Sequence, residues 1–320
     1  MNKNFAVTGV GGYIAPRHLK AIHDTGNKLI AALDPKDSVG ILDQFSFDVR
    51  YFSEYERFDR HLEKLHRGPI ENRVHYLTVC SPNYLHDAHI RLAMRTGADA
   101  ICEKPLVLNP WNLDALEELE KETGRKVYTI LQLRVHPSLL QLKKRMENSN
   151  TKHDVVLTYV TGRGHWYNTS WKGSVEKSGG LATNIGVHFF DLLIWLFGSV
   201  QKCEVHLQGQ SRMAGFLELQ HANVRWFLSV DIADLPIHPT PGSKTTYRMI
   251  SVDGKEIEFT EGFTDLHTRV YEQTLAGNGF GIADARPSIE TVGLIRSSTP
   301  AMNREFAHPI LFSKMEMITK

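Results

Sequence analysis

The sequence predicts an α/β protein in which a doubly wound, parallel-sheet domain precedes an α+β domain with a large, open and mostly antiparallel sheet. Three observations predict this class. Strand-like and helix-like segments alternate over the first third of the chain, strand-like runs follow one another with only turns between them after about Leu140, and 320 residues suffice for two cores. We therefore expect one domain over residues 1–134 and a second over residues 135–320, whose last helix returns to the first.

The first elements form a complete unit of strand, helix and strand. Residues 5–8 are a short apolar run that leads directly into the glycine-rich turn Gly9-Val10-Gly11-Gly12. Apolar residues at helical spacing predict a helix over 14–25, and a second apolar run over 28–33 predicts a strand that ends at Asp34-Pro35. Proline biases the residue before it to extended geometry, so the unit is complete at Asp34.

The same alternation continues through four more strands. Amphipathic segments predicted as helices separate them, and this order predicts a parallel sheet with right-handed crossovers. The predicted strands cover residues 49–51, 75–80, 99–102 and 127–133, and the intervening helices cover 55–65, 85–96 and 112–123.

The second half of the chain has a different pattern. Strand-like runs without intervening helices predict a mostly antiparallel sheet, whose surface is suited to bind substrate or another subunit. Helical patterns return near the end, the last of them after Pro287. The predicted strands cover residues 155–161, 202–208, 215–221, 224–232 and 247–252, and the helices 265–275 and 289–297.

Charge and hydropathy exclude several classes of protein. Lys and Arg number 37 against 36 for Asp and Glu, and a net charge of +1 gives no field that would attract nucleic acid. No window is expected to reach the ~20 apolar residues that span a bilayer, and no secretory leader is recognised at the N-terminus. We therefore expect a cytoplasmic protein with neither nucleic acid nor membrane as a partner.

Cysteine and histidine usage predicts neither disulfides nor a metal site. Cys80, Cys102 and Cys203 are widely spaced, and each lies in an apolar stretch typical of a strand. The 16 histidines are scattered without a His-x-x-x-His pair beside a carboxylate. A bound metal is therefore not expected.

The glycine-rich turn is typical of a Rossmann dinucleotide-binding site. Gly9 and Gly11 fit the first two glycines of the G-x-G-x-x-G pattern, whereas Ile14 occupies the third position. Asp34 follows the second strand, where a carboxylate accepts hydrogen bonds from the adenosine ribose and repels a 2′-phosphate. This pattern favours NAD over NADP, although Asp34-Pro35 could instead be a simple turn.

Four further motifs resemble those of the glucose-fructose oxidoreductase, inositol dehydrogenase and rhizopine-catabolism family. The resemblance covers most of the chain and is more specific than the glycine turn. The motifs are Glu103-Lys104-Pro105, Ser81-Pro82-Asn83-Tyr84-Leu85-His86, Gly179-Gly180 followed by Asn184, His188 and Asp191, and Ala283-Asp284-Ala285-Arg286-Pro287-Ser288-Ile289-Glu290.

The resemblance implies catalytic roles for Lys104, His188 and Asn184. A lysine beside the nicotinamide polarises the reacting hydroxyl, and a histidine on a facing helix takes its proton near neutral pH. Helical spacing places Asn184, His188 and Asp191 on one face. Many polyol dehydrogenases of the family have aspartate in place of Asn184, so the base role shifts to His188. Asp191 either orients the imidazole or makes a cap or pair at the surface.

The resemblance and the charges near its motifs together define a predicted site. Arg134, Arg163 and Lys172 are cations suited to a uronate or a diphosphate, and the aromatic group His165, Trp166, Tyr167 and Trp171 could stack on the ligands or simply pack beneath the cleft. The predicted substrate-binding residues are Lys104, Arg134, Arg163, Lys172, Asn184 and His188. The predicted cofactor-binding residues are Gly9, Gly11, Gly12, Tyr13, Ile14, Asp34, Ser53, Ser81, Asn83, His86, Glu103, Lys104, Gln132, Trp166 and Tyr167.

Two stretches, residues 12–18 (Gly-Tyr-Ile-Ala-Pro-Arg-His) and 133–137 (Leu-Arg-Val-His-Pro), resemble the UDP-N-acetylglucosaminuronate 3-dehydrogenases of bacterial lipopolysaccharide O-antigen synthesis. The likeness implies NAD-dependent oxidation of the carbon 3 hydroxyl of this UDP-sugar, a homotetramer, and 2-oxoglutarate as a candidate oxidant that regenerates the cofactor. The alternatives are a dehydrogenase of a free polyol or another sugar, and a nucleotide-sensing regulatory protein on a dehydrogenase scaffold.

Overall fold

The computed structural model describes residues 2–37, 39–147, 151–236, 245–257, 265–301 and 305–311. The chain forms two compact units, one comprising Met1–Val135 with Phe263–Arg286 and the other His136–Gly262 with Pro287–Lys320. The predicted boundary after Arg134 lies next to the first division, but the first unit also takes in a segment from the C-terminal part of the chain.

A six-stranded parallel sheet forms the centre of the first unit. Its strand order, β3-β2-β1-β4-β5-β6, reverses direction between β1 and β4, the switch point at which doubly wound sheets bind ligands. This confirms the predicted parallel class. The strands are β1 (Asn4–Thr8), β2 (Lys28–Leu33), β3 (Arg50–Phe52), β4 (Tyr76–Val79), β5 (Asp99–Cys102) and β6 (Val127–Thr129).

Ten α-helices occur in the described residues, and α1 shows why they form where they do. Its buried residues Ala15, Leu19 and Ile22 recur at helical spacing and face the sheet. The helices are α1 (Ala15–Asp24), α2 (Tyr55–Arg67), α3 (His86–Arg95), α4 (Pro110–Thr123), α5 (Pro137–Glu147), α6 (Trp166–Thr169), α7 (Val175–Ser178), α8 (Val187–Phe197), α9 (Leu266–Leu275) and α10 (Ile282–Ser297).

Helix α9 belongs to the core of the first unit. Its Tyr271 is fully buried and stacks on Phe5 of β1, with ring centroids 5.9 Å apart. Leu266 and Val270 are 1% exposed and lie in the same apolar cluster as Leu19 and Ile22. A segment late in the sequence therefore completes the core around the first strand.

The second unit is built on a six-stranded sheet of order β12-β11-β7-β10-β9-β8. Within this sheet, β7 and β10 are the only described neighbours that pair in parallel, and the others are antiparallel, which confirms a mostly antiparallel sheet. The strands are β7 (His153–Thr161), β8 (Val200–Gln208), β9 (Arg212–Leu219), β10 (Ala222–Ser229), β11 (Thr246–Val252) and β12 (Lys255–Glu256).

Two predicted boundaries differ most from the structure. Strand β6 ends at Thr129 rather than at residue 133, because its partner β5 ends at Cys102, opposite Thr129. Helix α10 begins at Ile282, seven residues before the predicted start, and continues through Pro287. The carboxylate of Asp284 accepts a hydrogen bond from the N–H of Gly281 at 2.9 Å, which stabilises this earlier start.

The expectation that no window is apolar enough to span a membrane also needs correction. Residues Val175–Phe197 form a helical segment of 23 residues that passes this test by length and composition. Of its most apolar window, 72% is buried inside the protein, as in a core helix. The segment is therefore weak evidence for a membrane span.

Candidate functional site

The glycine-rich turn joins β1 to α1 and requires glycine at its first position. Gly9 has φ +77°, and a Cβ on it would lie 2.5 Å from the backbone nitrogen of Ser81. A Cβ on Gly12 would lie 3.0 Å from the carbonyl oxygen of Gly9. Only glycine therefore allows this turn to close on itself and to pack against the backbone after β4, and such a tight turn fits a dinucleotide-binding site.

Ile14 explains how the turn tolerates the loss of its third glycine. The Ile14 backbone is right-handed, with φ −88°, and its side chain packs on the core of the first unit. Ala15, which is fully buried, supplies the small residue at the next position. Helix α1 has no side-chain cap at its N-terminus, so this end is suited to an anion.

Asp34 lies at the end of β2 beside the glycine turn. Its Oδ2 accepts from the N–H of Gly11 and its Oδ1 from the N–H of Lys36, both at 2.9 Å. The residue is 7% exposed, and Tyr51 donates to its main-chain oxygen at 2.7 Å. A carboxylate fixed in this way can still accept from a ribose hydroxyl, because each oxygen has a second lone pair.

We expect Asp34→Ala to weaken NAD binding about ten- to hundredfold, since hydrogen bonds to a charged group contribute about 1.5–3 kcal/mol. NADP binding should change less, because the repelling charge is also removed. The measurement is calorimetric titration of both nucleotides. Asp37→Ala, which removes an exposed carboxylate three residues away, is the matched control, and an unchanged NAD to NADP ratio in Asp34→Ala would contradict the ribose assignment.

The loop after β4 is supported from beneath by His86. The His86 ring nitrogens lie 2.7 Å from the main-chain oxygen of Pro105 and 2.9 Å from that of Ser81, and the residue is fully buried. His86 therefore joins the two loops through both ring nitrogens, and direct cofactor contact by His86 stays a prediction. Asn83 in the same loop is 6% exposed, whereas Ser53, which follows β3, is exposed.

His89 is a site residue that the sequence did not indicate. Its Nδ1 lies 2.9 Å from the hydroxyl of Ser81 and 3.0 Å from that of Thr8, at the carboxyl ends of β4 and β1. Tyr55 stacks on its ring with centroids 5.3 Å apart. Burial lowers the pKa of His89 to about 4, so the ring is neutral at physiological pH. The spacing of three between His86 and His89 on α3 was the available signal.

Glu103 and Lys104 follow β5 and differ in their surroundings. The Glu103 carboxylate is buried and accepts from His18 at 2.8 Å and from His267 at 3.1 Å. Burial alone would raise the pKa of Glu103, but these hydrogen bonds outweigh it and hold the pKa well below its ordinary value. Lys104 is only partly buried. Direct contact between Glu103 and the cofactor stays a prediction.

Gln132 and Arg134, in a 3₁₀ turn (Gln132–Val135) after β6, have contrasting environments. The Gln132 side chain is 9% exposed, and its Oε1 is a buried acceptor without a hydrogen-bond partner. A nicotinamide carboxamide would satisfy it, so Gln132 fits the predicted cofactor. Arg134 is also 9% exposed, and it donates at 3.0 Å to both the carboxylate and the main-chain oxygen of Asp284. This pairing holds Arg134 against the start of α10, and substrate contact by Arg134 stays a prediction.

Tyr13, in the glycine turn of the first unit, is 87% exposed. The second unit holds the other remaining predicted residues, among them Tyr167 and Asn184. The Asn184 amide donates to the Tyr167 hydroxyl at 3.0 Å, and both residues are buried. Asn184 lies in a π-helical stretch (Ala182–Gly186) that continues into α8, where His188 is partly buried in the first turn. Such stretches are frequent at functional sites. Asp191 is 2% exposed, which excludes the surface pairing considered for it.

A cation lies between two indole rings in the same unit. The Nζ atom of Lys172 is 5.5 Å from the ring centroid of Trp166 and 5.1 Å from that of Trp171. Burial lowers the pKa of Lys172, and the charge of Arg163 lowers it further. Arg163 and Trp166 are exposed. A cation beside two aromatic faces, with a second cation nearby, can bind an anionic ligand with a flat ring.

The strand order of the first sheet, the glycine turn between β1 and α1 and the carboxylate after β2 define a dinucleotide-binding Rossmann protein. The chain belongs to the GFO/IDH/MocA oxidoreductase family, with residues 3–130 matching its NAD-binding Rossmann fold and residues 152–256 its C-terminal α/β domain. This confirms the family predicted from the sequence motifs.

Among solved structures, the WlbA (WbpB) dehydrogenase from Thermus thermophilus in complex with NAD and α-ketoglutarate is 54% identical, covers 96% of this chain and 99% of its own, and has a TM-score of 0.92. The same dehydrogenase in complex with NAD and UDP-GlcNAcA has 53% identity, the same coverage and a TM-score of 0.91.

Curated relatives match over shorter segments. The 2,7-anhydro-N-acetylneuraminate hydratase of Mediterraneibacter gnavus is 25% identical over 64% of this chain and 52% of its own length. The oxidoreductase cns1 of Cordyceps militaris is 29% identical over 38% of this chain and 16% of its own length. The chain therefore spans about half of one of these relatives and a small part of the other.

Proposed function

We propose that this protein oxidises the carbon 3 hydroxyl of UDP-N-acetyl-D-glucosaminuronic acid to the 3-keto sugar, with NAD as cofactor. One observation carries the proposal. The 54% identical dehydrogenase, matched over 96% of this chain, has been solved with NAD and, in the second structure, with NAD and UDP-GlcNAcA. The cationic and aromatic group around Lys172 supports it, since a uronate and a diphosphate carry about three negative charges.

The two units have different roles under this proposal. The first binds the cofactor with the glycine turn, Asp34 and Gln132, and the loops after β4 and β5 border it. The second binds the sugar nucleotide and carries the contacts of a homotetramer. Under this proposal Arg163 and Lys172 bind the anionic groups of the substrate, and Trp166 and Tyr167 are cofactor-binding residues.

Bound NAD would supply the hydride acceptor. Lys104 donates a hydrogen bond to the reacting oxygen and, as a cation, stabilises the negative charge that develops there. His188 accepts the hydroxyl proton through a ring nitrogen. Asn184 has no carboxylate and cannot accept that proton, and its amide instead holds Tyr167 in place. His188 is therefore the single base in this mechanism.

The decisive experiment incubates the protein with NAD and UDP-N-acetylglucosaminuronic acid, with and without 2-oxoglutarate, and identifies the products by mass spectrometry. We expect a sugar nucleotide lighter by two hydrogen atoms, and 2-hydroxyglutarate where 2-oxoglutarate is present. Myo-inositol and simple polyols are the comparison substrates. Turnover of a polyol in place of the UDP-sugar, or retention of nucleotide without any turnover, would overturn the proposal.

The likeness to the Thermus thermophilus dehydrogenase also supports a biosynthetic setting for the reaction. The 3-keto sugar can receive an amino group, so we place the reaction in bacterial lipopolysaccharide O-antigen synthesis, in the cytoplasm. The solved complex of the Thermus thermophilus dehydrogenase with NAD and α-ketoglutarate supports 2-oxoglutarate as the oxidant that regenerates the cofactor. Analytical ultracentrifugation tests the tetramer.

We expect Lys172→Met to raise KM for the UDP-sugar about ten- to hundredfold while kcat changes little, because a charge-assisted contact made equally in ground and transition states is lost. Only protonated Lys172 attracts the anion. Since its pKa is lowered, KM should stay low at neutral pH and rise as the pH passes through that lowered pKa.

Steady-state kinetics across pH measures this dependence. Lys172→Arg should keep the low KM and remove the alkaline rise, because guanidinium remains charged. Lys177→Met, which changes an exposed lysine nearby, is the matched control. A KM of Lys172→Met equal to that of the wild type would exclude Lys172 from the substrate site.

A further inference from the structure

A buried polar cluster in the first unit joins elements from four parts of the sequence. His18 lies in α1, Thr78 in β4, Glu103 after β5, and His267 and Tyr271 in α9. None is more than 5% exposed. The Nε2 atoms of His18 and His267 lie 2.8 Å and 3.1 Å from the same oxygen of Glu103, and the Tyr271 hydroxyl lies 2.9 Å from Nδ1 of His18 and 2.8 Å from the Thr78 hydroxyl.

One arrangement of protons satisfies the whole cluster. Burial lowers the pKa of His18, so its ring is neutral and carries one proton. With that proton on Nε2, His18 donates to Glu103 and accepts at Nδ1 from the Tyr271 hydroxyl, which in turn accepts from Thr78. His267 donates to the same Glu103 oxygen. Every contact then has one donor and one acceptor.

The same atoms could in principle hold a metal ion, because the ligand atoms of His18, Glu103 and His267 lie within 4.8 Å of one another. Their spacing favours hydrogen bonds. Nitrogen and oxygen ligands at about 2.0–2.2 Å from a tetrahedral ion lie about 3.3 Å apart, whereas His18 and Glu103 are separated by 2.8 Å. The proton arrangement above also leaves no ligand atom without a role.

Glu103, which directly precedes Lys104 in the chain, is held in place by the other members of the cluster. Both Glu103 oxygens are occupied, one by the two histidines and the other by the main-chain N–H of Lys104 at 3.2 Å. A buried carboxylate needs such donors, since its charge has little solvation. The histidine donors come from two different helices, α1 and α9, and thereby fix the backbone from which the lysine side chain extends.

We propose that His18, His267 and Tyr271 are positioning residues for Lys104, acting through the Glu103 carboxylate. The inference rests on the proposed function of Lys104 as the group that polarises the substrate hydroxyl. Displacing a catalytic group by about 1 Å can cost about a hundredfold in rate. A purely structural cluster would instead lower the melting temperature and leave kcat per folded molecule unchanged.

The kinetic test uses variants of the full chain with NAD and UDP-N-acetylglucosaminuronic acid. We expect His267→Leu to lower kcat about ten- to hundredfold with KM nearly unchanged, and His267→Gln, which keeps a donor, to recover much of the loss. In a Lys104→Met background, His267→Leu should lower kcat no further, because the two residues act through one group. Additive losses, or an unchanged kcat in His267→Leu, would overturn the proposal.

Tyr271→Phe keeps the shape of α9 and removes only one hydroxyl, so it serves if His267→Leu fails to fold. We expect it to lower kcat in the same sense with a smaller magnitude. The matched control is Tyr76→Phe, which removes a hydroxyl from a partly buried tyrosine packed on the same core, and which should leave kcat unchanged. Equal kcat in Tyr271→Phe and Tyr76→Phe would contradict the inference.

Two measurements do not depend on turnover. Nitrogen-15 spectra of labelled histidines should show neutral His18 with its proton on Nε2, and Tyr271→Phe should perturb that signal. Crystal structures with NAD should show Lys104 Nζ displaced in His267→Leu and in place in His267→Gln.

If the UDP-sugar is not a substrate, the proposed function fails and these measurements still decide the positioning role. One equivalent of bound metal by elemental analysis would overturn the hydrogen-bonded arrangement.

Discussion

We expect Lys104→Met to lower kcat for the UDP-sugar about a thousandfold. Methionine keeps the length and the apolar stem but removes the donor and the charge that stabilise the developing alkoxide, a contribution of about 10²–10³ in rate for one such group. KM and the affinity for NAD should change little, because the interaction forms in the transition state. Stopped-flow measurement of NADH formation separates the chemical step from product release.

The control for this substitution is Lys121→Met, which removes an exposed lysine from α4 of the same unit. It should leave both kcat and nucleotide affinity unchanged. A Lys104→Met variant that retains NAD and turns over at the wild-type rate would exclude Lys104 from the chemistry. A variant that has lost NAD as well would indicate a binding role instead.

The second large effect concerns His188. We expect His188→Ala to lower kcat by about 10²–10⁴, the usual contribution of a positioned general base. Added imidazole should restore part of the rate, because a small base can take the proton in place of the missing side chain. Turnover measured over a range of imidazole concentrations checks this.

His221→Gln changes an exposed histidine of the same unit and is the matched control. Imidazole should have no effect on it. If His188→Ala retained the wild-type rate, or if Asn184→Ala abolished turnover while His188→Ala did not, the proton would have to leave through another group.

Local patterns predicted much of the fold. Strands β2 and β5 were predicted at their observed bounds, Lys28–Leu33 and Asp99–Cys102, because a turn or a change of composition limits each run. Strand β6 was predicted too long, since its end depends on where β5 ends and not on its own residues. The start of α10 was missed because the helix was predicted to begin at residue 289, after Pro287, whereas it contains that proline.

The candidate site was predictable where its residues are consecutive. The glycine turn and Glu103-Lys104-Pro105 were identified as motifs, and the structure places them at the carboxyl ends of β1 and β5. The partners of Glu103 were not identifiable, because His18 is 85 residues away from it and His267 is 164 residues away. Contacts at such separations depend on tertiary packing, which no local pattern records.

Helix α9 has a consequence for the order in which the protein can mature. The core around β1 requires Tyr271, Leu266 and Val270, and the ribosome makes these residues only after most of the second sheet, at about 5–20 residues per second. The nucleotide-binding unit therefore cannot finish folding as it emerges. A nascent chain halted before α9 should be sensitive to protease in its first 135 residues and unable to retain NAD, although every residue of the glycine turn is already present.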